Sequence, residues 1–387
     1  MYIRTRRELA GFISERMNKT YVDLSEDQRL ELGSSLAKVY LMEVHLDSGA
    51  SHKEICGFLN NSASIFQKEH RVKATIVETD EEKFFNAKFE VSGEAATFYI
   101  DASDGRFWFL HSMDKSETID PLVEKMAIGN QDIDRAWMPI QLLEAIKNLG
   151  ELRGLNLDYD RRKIRDIDFE APNAPPEFLI MQMWGNKAEK VLQILSDDKA
   201  FPTSTTLSKV KIRYRADSDS KSDYTLDDIK YDGKITARGT SFASHNTLIT
   251  TLMRKYSNKI RDIEQRFAMS YNVDDGQFSI QGSPIFVVFK NPIPNLVFFC
   301  RSLFSCSYPF KLWGVPMIIN DQHIRVSGID LHIGKKLDFE ITPEFMRIYL
   351  PENTCANSVI RIITNLQHYY DSRLDAQDSD GKSLLEY

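Results

Sequence analysis

The sequence predicts an α+β fold: a helical N-terminal unit, an antiparallel β-meander with helices, and a larger C-terminal α+β domain containing a long amphipathic helix. Three observations predict it. Strand-like runs come in clusters instead of alternating strictly with helices, which argues against a doubly wound parallel sheet. Apolar spacing changes from helical before residue 70 to strict alternation over 71–113, so the period of secondary structure switches there. Composition is ordinary for a globular protein, with 42% apolar and 27% charged residues, mean hydropathy −0.36, and only 18 Gly and 13 Pro in 387 residues. That length suits two or three domains and excludes collagen-like and low-complexity chains.

Residues 1–70 carry three capping boxes, Thr5 with Glu8, Ser25 with Gln28 and Ser51 with Glu54. In each, the two side chains satisfy backbone N–H groups reciprocally at a helix start. Apolar residues follow at helical spacing, among them Leu9, Phe12 and Ile13, then Leu36, Tyr40 and Val44, then Ile55, Phe58, Leu59 and Phe66. A three-helix unit is expected. Over 71–150 the meander comes first, with Gly93 and Asp104-Gly105 as turns, and then two helices, each with a proline at its first position, Pro121 and Pro139. The stretch 151–177 is charged and then proline-rich, which reads as a linker.

The C-terminal domain is expected over 178–371. It begins with a strand, Phe178 to Trp184, and a helix, Lys187 to Leu195. Strands at 210–215, 225–231 and 234–238 lead into a long helix from Phe242 to Phe267, whose stripe of Leu248, Ile249, Leu252, Tyr256, Ile260, Ile263 and Phe267 faces a core. Strands at 277–289 and 316–350 flank a helical piece at 296–304, and a helix from Ser358 to Tyr370 precedes a polar, frayed tail over 372–387. The four tryptophans read as core residues, and so do Phe310 and Leu312, with a partner-facing patch of Phe310, Leu312 and Trp313 as the alternative.

The four cysteines form no Cys-x-x-Cys pair and no zinc spacing, which fits a reducing compartment. No secretory signal opens the chain, and the most apolar region, Pro284 to Cys300, is broken by Lys290, Asn291, Pro292 and Pro294. A cytoplasmic protein without membrane contact is expected. The net charge of −7 is too mild for a protein coated in positive charge.

Four groups of residues bear on chemistry. Gly239-Thr240-Ser241-Phe242-Ala243 resembles the nucleophile motif of subtilisin-like serine proteases, and Asp47-Ser48-Gly49 resembles their aspartate motif, over about eight residues in all. That resemblance implies a histidine base in a His-Gly-Thr motif, yet none of the eight histidines precedes a glycine and His245 stands where the family has proline. The segment reads instead as a helix N-cap. The run Arg165-Asp166-Ile-Asp168-Phe-Glu170 sets three carboxylates at alternate positions, but it leads directly into prolines and reads as charged linker.

The stretch 329–341 alternates as a hairpin. With a three-residue loop at Gly334-Lys335-Lys336, Asp330, His332, Asp338 and Glu340 would share one face, His332 opposite Asp338 and Asp330 opposite Glu340. Opposed carboxylates call for neutralisation, by Arg347 or by a divalent cation such as Mg²⁺ or Mn²⁺ serving a hydrolase or nuclease. Charge is also uneven along the chain: residues 204–267 hold 13 Lys/Arg against 8 acids. Lys209, Lys211, Arg213 and Arg215 lie on one strand face, with Arg254, Lys255 and Lys259 on the following helix, a surface suited to nucleic acid or another polyanion. No phosphate-cradling, dinucleotide or zinc-protease motif is present. The sequence therefore points first to a non-catalytic binding protein or complex subunit whose basic strand and helix meet nucleic acid or another polyanion, with protein partners besides; second to the metal-dependent hydrolase or nuclease; and third to a scaffold or accessory factor that touches only proteins, as in microbial defence.

Overall fold

The computed structural model describes residues 2–22, 36–47, 49–91, 94–164, 178–185, 187–197, 204–217, 222–274 and 277–387. In chain order the first elements are α1 (Arg6–Val22), β1 (Ala37–Val44), α2 (His52–His70), β2 (Lys73–Glu78), β3 (Phe84–Val91), β4 (Glu94–Asp101), β5 (Phe107–Ser112), α3 (Ser116–Gly129) and β6 (Ile133–Arg135). There follow α4 (Ile140–Lys147), β7 (Glu151–Asp160), β8 (Phe178–Trp184), α5 (Ala188–Asp197), β9 (Leu207–Tyr214), β10 (Thr225–Lys230), β11 (Lys234–Gly239) and α6 (Phe242–Phe267). The last are β12 (Ser270–Asp274), β13 (Gln277–Gln281), β14 (Ile285–Val288), α7 (Leu296–Leu303), β15 (Leu312–Asn320), β16 (His323–Asp330), β17 (Lys335–Ile341), β18 (Phe345–Tyr349), α8 (Ala356–Tyr369) and β19 (Asp375–Gln377). The fold is α+β, with mostly antiparallel strands and a 26-residue helix, α6. No helix among the described residues is long and apolar enough to cross a membrane.

Two compact units form, each from discontinuous stretches: unit 1 from residues 1–136, 149–151 and 211–254, and unit 2 from 137–148, 152–210 and 255–387. In unit 1 the strands run β2-β3-β4-β5-β1-β11-β10, then the C-terminal half of β9, while β6 pairs with β1. Helices α2 and α3 cover one sheet face around Tyr40, Phe85, Phe98 and Trp108; α1 and Phe242 cover the other around Ile13, Ala37, Tyr99 and Ala237. At Gly150 an added Cβ would meet the Arg213 carbonyl at 2.5 Å, so only glycine allows that approach.

Strand β1 corrects the expected helix over 36–44. Every residue of β1 is buried, because both sheet faces are covered, so its apolar run shows no alternation and imitates helical spacing. The flanking helices start as expected: Thr5 Oγ1 accepts from the Glu8 N–H at 3.1 Å, and Ser51 with Glu54 forms a full capping box. Ser25 and Gln28 lie outside the described residues. The meander holds over β2–β5, while α3 begins five residues before Pro121, at Ser116.

In unit 2, β8 pairs with β7 in the register Gly154↔Trp184 to Asp160↔Phe178, and β9 lies on the other side of β7, where Thr206 accepts from the Asp158 N–H at 3.0 Å. Residues 151–160 are therefore a strand with Leu155, Leu157 and Tyr159 fully buried, not linker; 165–177, with Asp166, Asp168 and Glu170, lie outside the described residues. A second sheet runs β15-β16-β17-β18-β14-β19, and β12 pairs with β13 as a separate hairpin. All fourteen residues of α8 are buried, polar ones included. Its Arg361 donates to Asp330 and to the Phe310 carbonyl at 2.9 Å, and Gln367 accepts from the Ile140 N–H at 2.9 Å. The tail is ordered: β19 pairs with β14, and Leu374, Ala376, Leu384 and Leu385 are buried.

Candidate functional site

The cations of β9 do not form an exposed row. Lys211 is 5% exposed, and its Nζ lies 3.4 Å from Asp228 on β10, which Arg238 approaches at 3.9 Å. Arg213 sits 3.7 Å from Glu151 with its guanidinium 4.6 Å from the Tyr224 ring centroid, and Arg215 approaches the same ring at 6.0 Å. Lys209 is half-buried. On α6, Arg254 is exposed, whereas Lys255 and Lys259 are half-buried; Lys259 stands 5.2 Å from the Tyr387 ring and burial lowers its pKa. Sequence reasoning counted the cations but missed their acids, because Asp228 comes from a neighbouring strand and Glu151 from a distant stretch.

The 329–341 hairpin has a different register from the one expected. The turn occupies residues 331–334, closed by the Gly334 N–H donating to the Asp330 carbonyl at 2.8 Å, so Asp330 pairs with Lys335, Ser327 with Asp338, and Arg325 with Glu340. The shift turns β16 over. Ile324, Val326, Gly328 and Asp330 face inward, and Ile329 faces out. Asp330 is 1% exposed and bound by Arg361 and Ser358, with the His332 N–H donating to it at 3.1 Å; His332 itself is buried in the turn. Asp338 and Glu340 lie on the opposite, outer face. The four residues proposed for Mg²⁺ or Mn²⁺ are thus not brought together.

Glu340 is held by cations instead. Arg347 donates to it at 2.8 Å and Tyr349 at 3.0 Å, while His323 lies at 2.8 Å and Arg325 at 3.7 Å. Burial alone would raise its pKa, but these hydrogen bonds and charges hold it below the ordinary carboxylate range. Asp338 accepts from Ser327 at 2.8 Å and meets Lys336 at 2.9 Å.

Around these charges the outer face is apolar. On β15, Trp313, Val315 and Met317 project to one side at 45–63% exposure, Ile329 joins them from β16, and Ile318 and Ile319 are exposed at the bulge that ends the pairing. A groove of about 540 Å³ runs among Val315, Met317, Arg325, Ser327, Glu340 and Tyr349. Trp313 and Trp184, expected in the core, are exposed, while Phe310 and Leu312 are buried. Other apolar side chains of unit 2 reach solvent on β8 and α5 (Phe178, Ile180, Ile194) and on the β12–β13 hairpin (Tyr271, Val273, Phe278, Ile280). Among the described residues only Tyr2 and Ile128 expose a large apolar side chain outside unit 2.

The protease-like segment is structural. Gly239 ends β11 at φ 138°, with Tyr224 O within 2.6 Å of any added Cβ, and Ser241 Oγ accepts from the Ser244 N–H at 3.2 Å as the N-cap of α6. His245, one turn on, is fully buried, with Nδ1 2.5 Å from Asp227. Sequence reasoning missed that pair, since Asp227 and His245 lie on separate elements.

Against the curated proteins, the chain is 28% identical over 405 residues to the uncharacterized protein MJECL33 of Methanocaldococcus jannaschii, spanning 96% of this chain and 93% of the relative. Residues 1–384 match the MJECL33-like protein family, to which this chain therefore belongs.

Proposed function

We propose that the protein is a non-catalytic binding subunit of a larger assembly, and that the outer face of the β15–β18 sheet receives a protein partner. The observation that carries this reading is the row Trp313, Val315 and Met317, with Ile329 beside it, next to the 540 Å³ groove. Single exposed apolar side chains are ordinary, but a contiguous set rimmed by charge is characteristic of a contact surface. Trp and Met are enriched at such interfaces, and Arg325 and Glu340 supply the polar rim. Pro316 has no N–H to offer at the open edge of the sheet, which disfavours endless strand addition there and leaves the face as the contact surface.

The test is purification of the tagged chain from its own cells. Wild type is expected to co-elute with a partner at fixed stoichiometry. Val315→Lys with Met317→Glu should release that partner while the isolated chain keeps its melting temperature. A wild-type chain that runs alone, or a partner retained by the double variant, would show that this face is not the contact.

A further inference from the structure

We infer that unit 1 holds a binding site for the end of a slender hydrocarbon chain, straight or methyl-branched. This rests on a cavity apart from the face argued above. The cavity, about 50 Å³, lies between the sheet and helices α2 and α3. Met42, Ala87, Ile100 and Trp108 form its floor, Leu59 and Phe66 of α2 its wall, and Met126 of α3 its other side. Its whole lining surface is apolar. Protein interiors pack at crystal density and leave few voids larger than a water, so a space several water volumes across in so aromatic a core calls for an explanation.

Size and chemistry narrow the occupant. A cavity without polar partners stays dry, so water does not fill it. An apolar cavity of roughly 150 Å³ accepts benzene, and this one has about a third of that volume, so a ring is too large and a few aliphatic carbons fit. Ser62, Ala63, Ile76 and Met126 line the cavity yet are only half-buried, and of these Ser62 and Ala63 carry the small side chains past which a chain end would enter, making them the mouth of the proposed site. Asn130 and the Trp108 indole are among the lining residues, but neither presents polar surface to the space and Asn130 already donates to the Met126 carbonyl at 3.3 Å, so the polar end of the ligand stays at the mouth. Ala87, 1% exposed on β3, keeps the floor open where a larger residue would fill it.

The probes are xenon, decanoic acid as a straight chain and citronellic acid as a methyl-branched, isoprenoid-like one. The full chain is expected to shift the ¹²⁹Xe resonance and to bind at least one of the two acids saturably at one per chain in calorimetry. Preference between the acids separates an acyl from an isoprenoid source. Ala87→Val should weaken acid binding at least tenfold; should that variant fail to fold, Ala63→Leu at the half-exposed mouth makes the same test. Absence of saturable acid binding, with or without a xenon shift, overturns the inference by marking a closed packing void. So does acid binding left unchanged by the folded variant.

Discussion

His111 is 3% exposed in unit 1 and its pKa falls to about 4, because burial disfavours the imidazolium and the charges of His245 and Arg6 add to that, against Asp101. Its ordinary value is 6.5. Between those pH values the unfolded chain binds the proton and the folded chain does not, so stability rises with pH across that window and is lost as acid is added. Wild type should lose roughly 2–3 kcal/mol between pH 7.5 and 4.5 on this account alone. In urea titrations at the two pH values, His111→Gln should remove that part of the difference; an unchanged difference would assign acid sensitivity elsewhere. Asp330 and Arg361 give a prediction of opposite character. Both are buried and bonded to each other, so Arg361→Met alone strands a carboxylate and should cost about 3–5 kcal/mol. Adding Asp330→Leu to that variant should restore much of the loss, because the penalty comes from the unpaired charge. A double variant no more stable than the single one would contradict this.

Elements whose signal is local were legible in the sequence. The capping box at Ser51 and Glu54, the alternation of β2–β5 and the apolar stripe of α6 each need only neighbouring residues. What failed was set by tertiary surroundings. Strand β1 hides its period because both faces are covered, and β16 was turned over because its loop closes at Gly334 with four residues where three were expected. The tail was misread for a related reason: its polar composition conceals Leu384 and Leu385, which bury themselves after β19 has paired with β14. Deleting residues 375–387 should therefore lower the melting temperature by several degrees, since it strips β14 of a neighbour and removes two buried leucines. A truncated chain that melts with wild type would mean those contacts contribute nothing.

For the whole molecule, the candidate sites were harder to read than the fold. Cationic residues could be counted from sequence, but whether they meet solvent depends on Asp228 and Glu151, which the chain delivers from elsewhere. With Lys211 so held and a net charge of −7, the expected result in gel shift is no retardation of DNA or RNA at 0.15 M salt. Retardation that falls steeply with salt would return the polyanion surface to consideration. Unit 1 also closes late. Its strand β1 lies between β5 and β11, in the register Ala37↔Ala237, so two hundred residues separate partners at the middle of one sheet. A ribosome must deliver β11 before that gap can close, and until then the newly made N-terminal third leaves open one edge of a strand that carries Val39, Tyr40, Leu41, Met42 and Val44. Synthesis of this chain is thus a period of exposure that chaperones, rather than early domain-by-domain folding, have to cover.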